Sequence, residues 1–203
     1  MSGTSPIAAR GMRIGLLGGS FNPAHEAHRA ASLFALKRLG LDRIWWLVSP
    51  GNPFKNVRDL PPVAERARRA RAVARHPRID VTEIETALDT RFSFDTVTRL
   101  RQRFPGVRFV FLVGADILAE FHRWHRWREL AGAVPLAVID RPDFAFRALA
   151  SPAAIALAHA RIPEHAGANL LSQRPPGWVF LHCLKLSLSS TALRKKAPKA
   201  LLP

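Results

Sequence analysis

The chain has 203 residues, of which 48% are hydrophobic and 23% charged, so it can bury the core of one domain and is not disordered throughout. No stretch approaches the roughly 20 consecutive apolar residues of a membrane-spanning helix, and the single cysteine excludes an internal disulfide. The net charge of +16 would attract polyanions or phosphorylated small molecules, but the basic residues are dispersed along the chain and select neither class.

The ends of the chain are predicted to lie outside the folded domain. We expect a flexible leader over residues 1–10, one domain over residues 11–196 and a frayed tail over residues 197–203. The leader is small and polar and lacks the apolar centre of a secretory signal. Together with the scarcity of cysteine, which suits a reducing compartment, this predicts a cytoplasmic protein.

Apolar segments alternate with helical patterns along the domain. Strands are predicted at residues 13–17, 43–48, 79–84, 107–113, 135–139 and 178–184. Helices are predicted at about residues 24–39, 62–75, 93–104, 116–131, 144–160 and 189–196, with Ser93 as a cap and a break near residues 122–125. This alternation predicts a single α/β domain, a Rossmann-like parallel sheet with helices on both faces. We expect the chemistry beyond the carboxyl ends of the strands, just after Leu17, Val48 and Val113.

A glycine-rich turn with two histidines follows the first predicted strand. Gly18 and Gly19 let a ligand approach the backbone, because neither residue carries a Cβ atom. His25 and His28 lie three residues apart, so both project from one face of the first turn of the next helix. Two imidazoles beside the free N–H groups of a helix N-terminus suit a phosphate group. The turn therefore predicts a phosphate site, against the alternative of a glycine turn with two exposed histidines.

Other motifs built from these residue types do not fit. The zinc-protease pattern H-E-x-x-H places its histidines four residues apart, whereas here they are three apart. No G-x-G-x-x-G follows the first strand, which argues against a dinucleotide cofactor of the dehydrogenase type. The chain also lacks the G-x-x-x-x-G-K-[ST] motif of a P-loop.

The segment GGSFNPAHEAH, residues 18–28, resembles the GG[ST]F[ND]PxHxGH signature of the adenylyltransferases and cytidylyltransferases related to class I aminoacyl-tRNA synthetases. Ala27 stands where that signature usually has glycine. The match is closest to the bacterial nicotinate-nucleotide adenylyltransferases and extends over roughly residues 14–194. The resemblance implies a nucleotidyltransferase domain that transfers an adenylyl group from ATP to nicotinate mononucleotide in NAD biosynthesis. It also implies Mg²⁺, bound mainly through substrate phosphates and without a dedicated set of protein ligands.

The resemblance assigns the catalytic role to His28 and His25, which would stabilise the α-phosphate of ATP. Further ATP contacts are implied along the turn and at the strand ends, by Gly18, Gly19, Ser20, Phe21, Lys55, Gly114 and Asp116. Near the C-terminus, SSTALR is similar to the family motif ISSTxIR, whose helix start holds the ATP phosphates. The matching residues here are Ser189, Ser190, Thr191 and Arg194. For Asp116 a role as helix cap stays open, and for Lys55 that of a solvated loop lysine.

The mononucleotide site is implied by a second set of matches. WHRW, residues 124–127, is similar to a family segment whose first tryptophan lies against the pyridine ring, here Trp124. Thr96 would lie near the nicotinate end, and Ser20, Phe21 and Lys55 would complete the site. Trp127 is expected to pack in the interior, and His122 and His125 to be solvated. Trp45 and Trp46 are expected in the sheet core.

Two alternatives remain open at this point. One is another adenylyltransferase of the same superfamily, acting on nicotinamide mononucleotide or pantetheine phosphate. The other, motivated by the charge of +16, is a basic RNA-binding domain, which would bind RNA with steep salt dependence and release no pyrophosphate. We expect ATP and a mononucleotide as partners, with no membrane and no nucleic acid, and leave a homo-oligomer open.

Overall fold

Seven parallel strands form one sheet in the computed structural model, which describes residues 6–51 and 60–182. The strands are β1 (Arg13–Gly19), β2 (Arg43–Val48), β3 (Ile79–Thr82), β4 (Arg108–Gly114), β5 (Leu136–Ile139), β6 (Arg161–Ile162) and β7 (Trp178–Leu181). Their order across the sheet is β3-β2-β1-β4-β5-β7-β6, and all neighbours pair in parallel.

Helices cover both faces of this sheet. They are α1 (Glu26–Arg38), α2 (Val63–Ala74), α3 (Ile84–Ala87), α4 (Ser93–Arg103), α5 (Ala115–Glu120), α6 (Trp127–Ala133), α7 (Ala145–Leu149) and α8 (Pro152–Ala156). Short 3₁₀ turns lie at Phe121–Arg123, Ala158–Ala160 and Glu164–Ser172. Among the residues that the structure describes, no helix has the length and apolar character that a membrane span requires.

The alternation of side chains along each strand divides the core into two layers. In β2, Trp45 packs in the layer that contains residues of α4 to α8, and Trp46 packs in the layer that contains residues of α1 and α2. Both tryptophans are fully buried, as predicted. Strands buried on both faces explain the continuous apolar runs in the sequence. The predicted parallel sheet with helices on both faces is confirmed.

The carboxyl ends of four adjacent strands meet at one edge of the sheet. Gly19 at the end of β1 pairs in register with Val48 at the end of β2, and Gly114 of β4 pairs with Ile139 of β5. The segments after these strands are therefore brought together, as predicted for three of them. The fourth, after β5, was not singled out from the sequence.

Two predicted boundaries around β3 and α4 are wrong. The strand predicted at residues 79–84 ends at Thr82, because the Thr82 hydroxyl accepts the backbone N–H of Ile84 at 3.2 Å and the chain turns into α3. Ser93 is not the cap of α4 but its first residue, and Phe92 holds the N-cap position.

The second half of the chain is more segmented than predicted. The helix expected at residues 144–160 is divided into α7 and α8, because the Ser151 hydroxyl accepts the N–H of Ala154 at 3.2 Å and Pro152 opens the second helix. Strand β6 and the 3₁₀ turn after it were not predicted. The break expected near residues 122–125 is confirmed, since α5 ends at Glu120 and α6 begins at Trp127.

Candidate active site

The segment after β1 and the first turn of α1 bring two histidines into contact. His25 is the N-cap residue of α1 and His28 is its third residue, and their ring centroids are 3.8 Å apart. The backbone N–H of His25 donates to Nδ1 of His28 at 3.2 Å, and the N–H of His28 donates to the carbonyl of His25 at 2.9 Å. The prediction that both rings lie on one side of the first helical turn is confirmed.

Both imidazoles are held in the neutral form at pH 7. Burial and the charge of Arg141 lower the pKa of His25 to about 4. Burial, the neighbouring His25 and the charge of Arg141 lower the pKa of His28 to about 3. Neither ring nitrogen of His25 has a hydrogen-bond partner within residues 6–51 and 60–182. Buried polar atoms in folded proteins usually have partners, so this ring is suited to receive a ligand oxygen.

Aromatic side chains support His28 from the sheet. The ring of Trp46 stacks on Phe21 with centroids 4.9 Å apart, and it meets His28 edge-on with centroids 5.9 Å apart. The indole N–H of Trp46 donates to the hydroxyl of Ser32 at 2.8 Å, and that hydroxyl donates to the carbonyl of His28 at 2.8 Å. Trp46 is a core residue, as predicted, but it also holds the helical turn that carries His28.

The turn after β1 presents backbone rather than side chains. A Cβ atom at Gly18 would meet only Phe111, at 3.9 Å, so the described residues leave the space above Gly18 open. Ser20 is exposed. Phe21 has a positive φ of 46°, and the residue as a whole is 2% exposed. Its ring packs inside the protein against His28 and Trp46.

The Asp116 carboxylate and the Arg141 guanidinium lie close together near the end of β4. Oδ1 of Asp116 lies 3.2 Å from Nε of Arg141. A Cβ atom at Gly114 would collide with both groups, so glycine is required for their approach. Gly114 is also the N-cap residue of α5, and Asp116 is the second residue of the helix. The alternative interpretation of Asp116 as a helix cap is therefore wrong.

Arg141 was not among the residues that the sequence predicted for the site. It follows β5 by two residues, and its charge contributes to the lowered pKa of both His25 and His28. A guanidinium in this position can bind a phosphate group through two parallel hydrogen bonds. The signal in the sequence is its place, directly after the predicted strand at residues 135–139, at the edge where such sheets bind ligands.

Trp124, the predicted stacking partner of the pyridine ring, is half-buried. Its ring lies 5.4 Å from that of Phe121 and 6.3 Å from that of Phe111, so one part packs on the core and another stays exposed. Trp127 is buried in the core, as predicted.

The two histidines that flank Trp124 differ in their surroundings. His125 is exposed, as predicted, and its ring lies 4.3 Å from that of Phe92. His122 is half-buried, and its Nδ1 is fully buried with no hydrogen-bond partner in the described part of the chain. The prediction that His122 is solvated is wrong, because the 3₁₀ turn at Phe121–Arg123 places part of its ring inside the protein.

Thr96 lies inside the protein and not on its surface. It is 0% exposed, and its hydroxyl lies 3.0 Å from Oε1 of Glu85, 2.9 Å from the hydroxyl of Thr90 and 3.2 Å from the carbonyl of Phe92. Burial raises the pKa of Glu85 to about 7. The Thr96 side chain, expected near the nicotinate end of the mononucleotide, has no exposed surface in the protein without ligand. It connects the start of α4 to α3.

Five predicted site residues lie outside the described part of the chain, namely Lys55, Ser189, Ser190, Thr191 and Arg194. Within residues 6–51 and 60–182, no group of three or more histidine, cysteine, aspartate or glutamate side chains could hold a metal ion.

Comparisons of the sequence with known proteins identify its relatives. The family model described as cytidylyltransferase-like matches residues 16–196. A Bradyrhizobium protein named a probable nicotinate-nucleotide adenylyltransferase is 58% identical over 183 residues, which cover 90% of this chain and 95% of the relative. A protein of the same name from Mesorhizobium japonicum is 47% identical over 192 residues, which cover 95% of this chain and 98% of the relative.

Solved structures agree on the fold. Nicotinic acid mononucleotide adenylyltransferase from Plasmodium falciparum, in its complex with NaAD, aligns with a TM-score of 0.65 at 18% identity, over 91% of this chain and 83% of that one. The resemblance drawn from residues 18–28 is therefore confirmed. The chain belongs to the cytidylyltransferase-like family, and within it to the group whose similar members are named nicotinate-nucleotide adenylyltransferases.

Proposed function

We propose that the protein transfers the adenylyl group of ATP to nicotinate mononucleotide, forming deamido-NAD and pyrophosphate. The observation that carries this proposal is the contact between His25 and His28 at the start of α1, with Arg141 close enough to influence both. The names of relatives that are 47% and 58% identical support the choice of substrates. So does the NaAD bound to the Plasmodium falciparum protein.

The reaction needs positioning and charge stabilisation but no covalent intermediate. A phosphate oxygen of the mononucleotide forms a bond to the α-phosphorus of ATP, and the bond from that phosphorus to the leaving pyrophosphate breaks in line. His28 and His25, both neutral, donate N–H groups to the non-bridging oxygens, where charge rises in the transition state. Arg141 adds a fixed positive charge on the same side.

The remaining ATP contacts are assigned from the strand ends. Gly18, Gly19, Ser20 and Phe21 offer the backbone of the turn to the phosphates, and the Asp116 carboxylate accepts hydrogen bonds from the ribose or adenine. Because Gly114 has no Cβ atom, it leaves room for the Asp116 carboxylate. The β- and γ-phosphates are assigned to the other residues of the motif matches, Lys55, Ser189, Ser190, Thr191 and Arg194.

The mononucleotide is assigned to the edge of the sheet near Trp124. The exposed part of this ring stacks on the pyridine, while Ser20, Phe21 and Lys55 approach the phosphate. Thr96 has a positioning role, because its hydroxyl is already engaged with Glu85 and Thr90 inside the protein.

Magnesium fits this site as a companion of the substrate. Arg141 occupies one side of the Asp116 carboxylate, and the described residues supply no cluster of metal ligands. Mg²⁺ is commonly held by phosphates and water with few protein ligands. When bound, the ion neutralises charge on the departing pyrophosphate. We further infer a cytoplasmic location, since the single cysteine suits a reducing compartment.

The function is tested by incubating the purified protein with ATP, Mg²⁺ and one acceptor at a time. The acceptors are nicotinate mononucleotide, nicotinamide mononucleotide and pantetheine phosphate, and chromatography follows dinucleotide and pyrophosphate. We expect deamido-NAD and pyrophosphate in equal amounts, with nicotinate mononucleotide as the preferred acceptor. Equal rates with both pyridine nucleotides would refute the preference for nicotinate mononucleotide but would still support adenylyl transfer. No pyrophosphate with any acceptor would refute adenylyl transfer.

A further inference from the structure

Arg66, in the first turn of α2, is a buried cation that the proposed reaction does not use. It is 1% exposed, and burial lowers the pKa of its guanidinium, which nevertheless stays protonated. Burial is the cause of that shift, and among residues 6–51 and 60–182 no salt bridge joins Arg66 to a carboxylate. A buried charge is unfavourable unless it is paired or hydrogen-bonded, so the hydrogen bonds of this guanidinium indicate its role.

The guanidinium joins two segments at the edge of the sheet where the site lies. Its Nε donates to the carbonyl of Pro61 at 2.8 Å, and its Nη1 donates to the carbonyl of Ser20 at 2.6 Å. Ser20 belongs to the turn after β1, and Pro61 lies just before α2. Because the guanidinium is planar and rigid, it sets the positions of both carbonyls at once.

The bond to Ser20 determines the direction of the next N–H group. The peptide bond between Ser20 and Phe21 is trans, since the cis bonds of the described residues precede Pro23 and Pro176. In a trans peptide the carbonyl and the following N–H point in opposite directions. With the Ser20 carbonyl turned toward the buried Arg66, the N–H of Phe21 points away from it. Phe21 also has the positive φ of 46°, a conformation that persists only where its surroundings impose it.

We propose that Arg66 is a positioning residue for nucleotide binding, which holds the peptide between Ser20 and Phe21 so that the Phe21 N–H faces a phosphate of ATP. This inference rests on the proposed function for the identity of the ligand. The inference gives a role in ligand binding to Arg66, a buried residue that lies 46 positions from Ser20 in the sequence.

The test compares ATP with adenosine, which lacks the phosphates. Arg66→Met keeps an apolar stem and removes the hydrogen bonds, and Arg66→Lys keeps the charge but not the planar pair of donors. Arg68→Met, at an exposed position of the same helix, is the control. Binding is measured by calorimetry for ATP and by NMR titration for adenosine, and thermal unfolding reports whether each variant is folded.

We expect Arg66→Met to weaken ATP binding about tenfold or more, as for the loss of a hydrogen bond to a charged group, and to leave adenosine binding unchanged. Arg66→Lys should weaken ATP binding in the same selective way and serves as the main variant where Arg66→Met does not fold. Unchanged ATP binding in a folded variant, or equal weakening of ATP and adenosine, would overturn the proposal. Full recovery by lysine would also overturn it, since charge alone would then suffice.

The outcome is separate from that of the proposed reaction, because binding is measured without an acceptor. A wild-type protein that binds ATP but forms no dinucleotide refutes the reaction, while the selective loss in the Arg66 variants still supports the positioning role.

Discussion

His25 and His28 are both neutral at pH 7, and the charge of Arg141 acts on both rings. Protonating either ring would place a second cation in a partly dry site next to a guanidinium, and this repulsion adds to burial in lowering both pKa values. In the proposed reaction, a neutral ring donates a hydrogen bond that becomes stronger as charge grows on the phosphate oxygen in the transition state.

The first prediction concerns the histidine that Trp46 and Ser32 support. His28→Ala should lower kcat at least about 100-fold, equivalent to ~2.7 kcal/mol, because a donor to the transferring phosphate is lost. Steady-state kinetics with both substrates measures the effect, and circular dichroism confirms the fold. His159→Ala, at an exposed position in a 3₁₀ turn, should behave as the wild type. Near-normal turnover in a folded His28→Ala protein would contradict the mechanism.

The second prediction concerns Arg141. Arg141→Met removes a cation that lowers the pKa of His25 and His28, so both values should rise from about 4 and about 3. They should remain below the ordinary value of 6.5, because burial is the larger cause and is kept. NMR titration of the imidazole resonances measures both values. Arg147→Met, at an exposed position in α7, is the control, and unchanged histidine pKa values in Arg141→Met would show that Arg141 does not act on the pair.

Elements at the sheet edge are coupled by small polar networks inside the protein. Glu85 in α3, Thr90 in the following segment and Thr96 in α4 share hydrogen bonds, and Phe92 between them contacts His125. The network therefore connects α3 and α4 to the segment that carries Trp124. The sequence suggested only a strand and a helix here, because a buried network depends on which residues the chain turns inward.

The third prediction follows from the raised pKa of Glu85. Its folded pKa of about 7 exceeds the ordinary value of 4.5, so the native state binds the proton more tightly than the unfolded chain. Its contribution to stability is therefore full below about pH 4.5 and is lost as the pH rises through about 7. Glu85→Gln has no carboxyl group to ionise and therefore no such loss. The free energy of unfolding of the variant, relative to that of the wild type, should increase between pH 5 and pH 8. The gain has an upper limit of about 3 kcal/mol.

Urea unfolding at both pH values measures this difference. The histidines of the site titrate in both proteins and cancel in the comparison. Glu120→Gln, at an exposed position at the end of α5, should show the same pH dependence as the wild type. A Glu85→Gln curve parallel to that of the wild type would mean that the carboxyl is ionised without penalty.

At the scale of the whole molecule, the charge of +16 is available to attract two anionic substrates. Exposed charges are screened over about 10 Å at 0.1 M salt, whereas contacts inside the site are screened much less. The fourth prediction is that KM for both substrates rises several-fold as NaCl increases from about 0.05 M to about 0.5 M, while kcat changes little. Initial rates at fixed Mg²⁺ measure this. A salt-independent KM would show that the excess charge has no part in substrate capture.

The sequence predicted local structure correctly where one continuous segment contains all the residues that determine it. Residues 18–28 contain the whole turn, both histidines and the helix start, and the structure brings His25 and His28 together as their spacing predicts. The alternation of apolar runs and helices likewise predicted the parallel sheet. Boundaries failed where a single hydroxyl ended or opened an element, as at Thr82 and Ser151.

The sequence alone thus determined the fold class, the family and the turn that carries the two histidines, because these depend on neighbours along the chain. Only the tertiary structure decided that the charge of Arg141 acts on the histidines, that Arg66 donates to the carbonyl of Ser20 and that Thr96 is buried with Glu85. Each of these facts depends on contacts between separate segments, formed when the strands align at one edge. Burial and nearby charge, which lower the pKa of His25 and His28, come into existence only with those contacts.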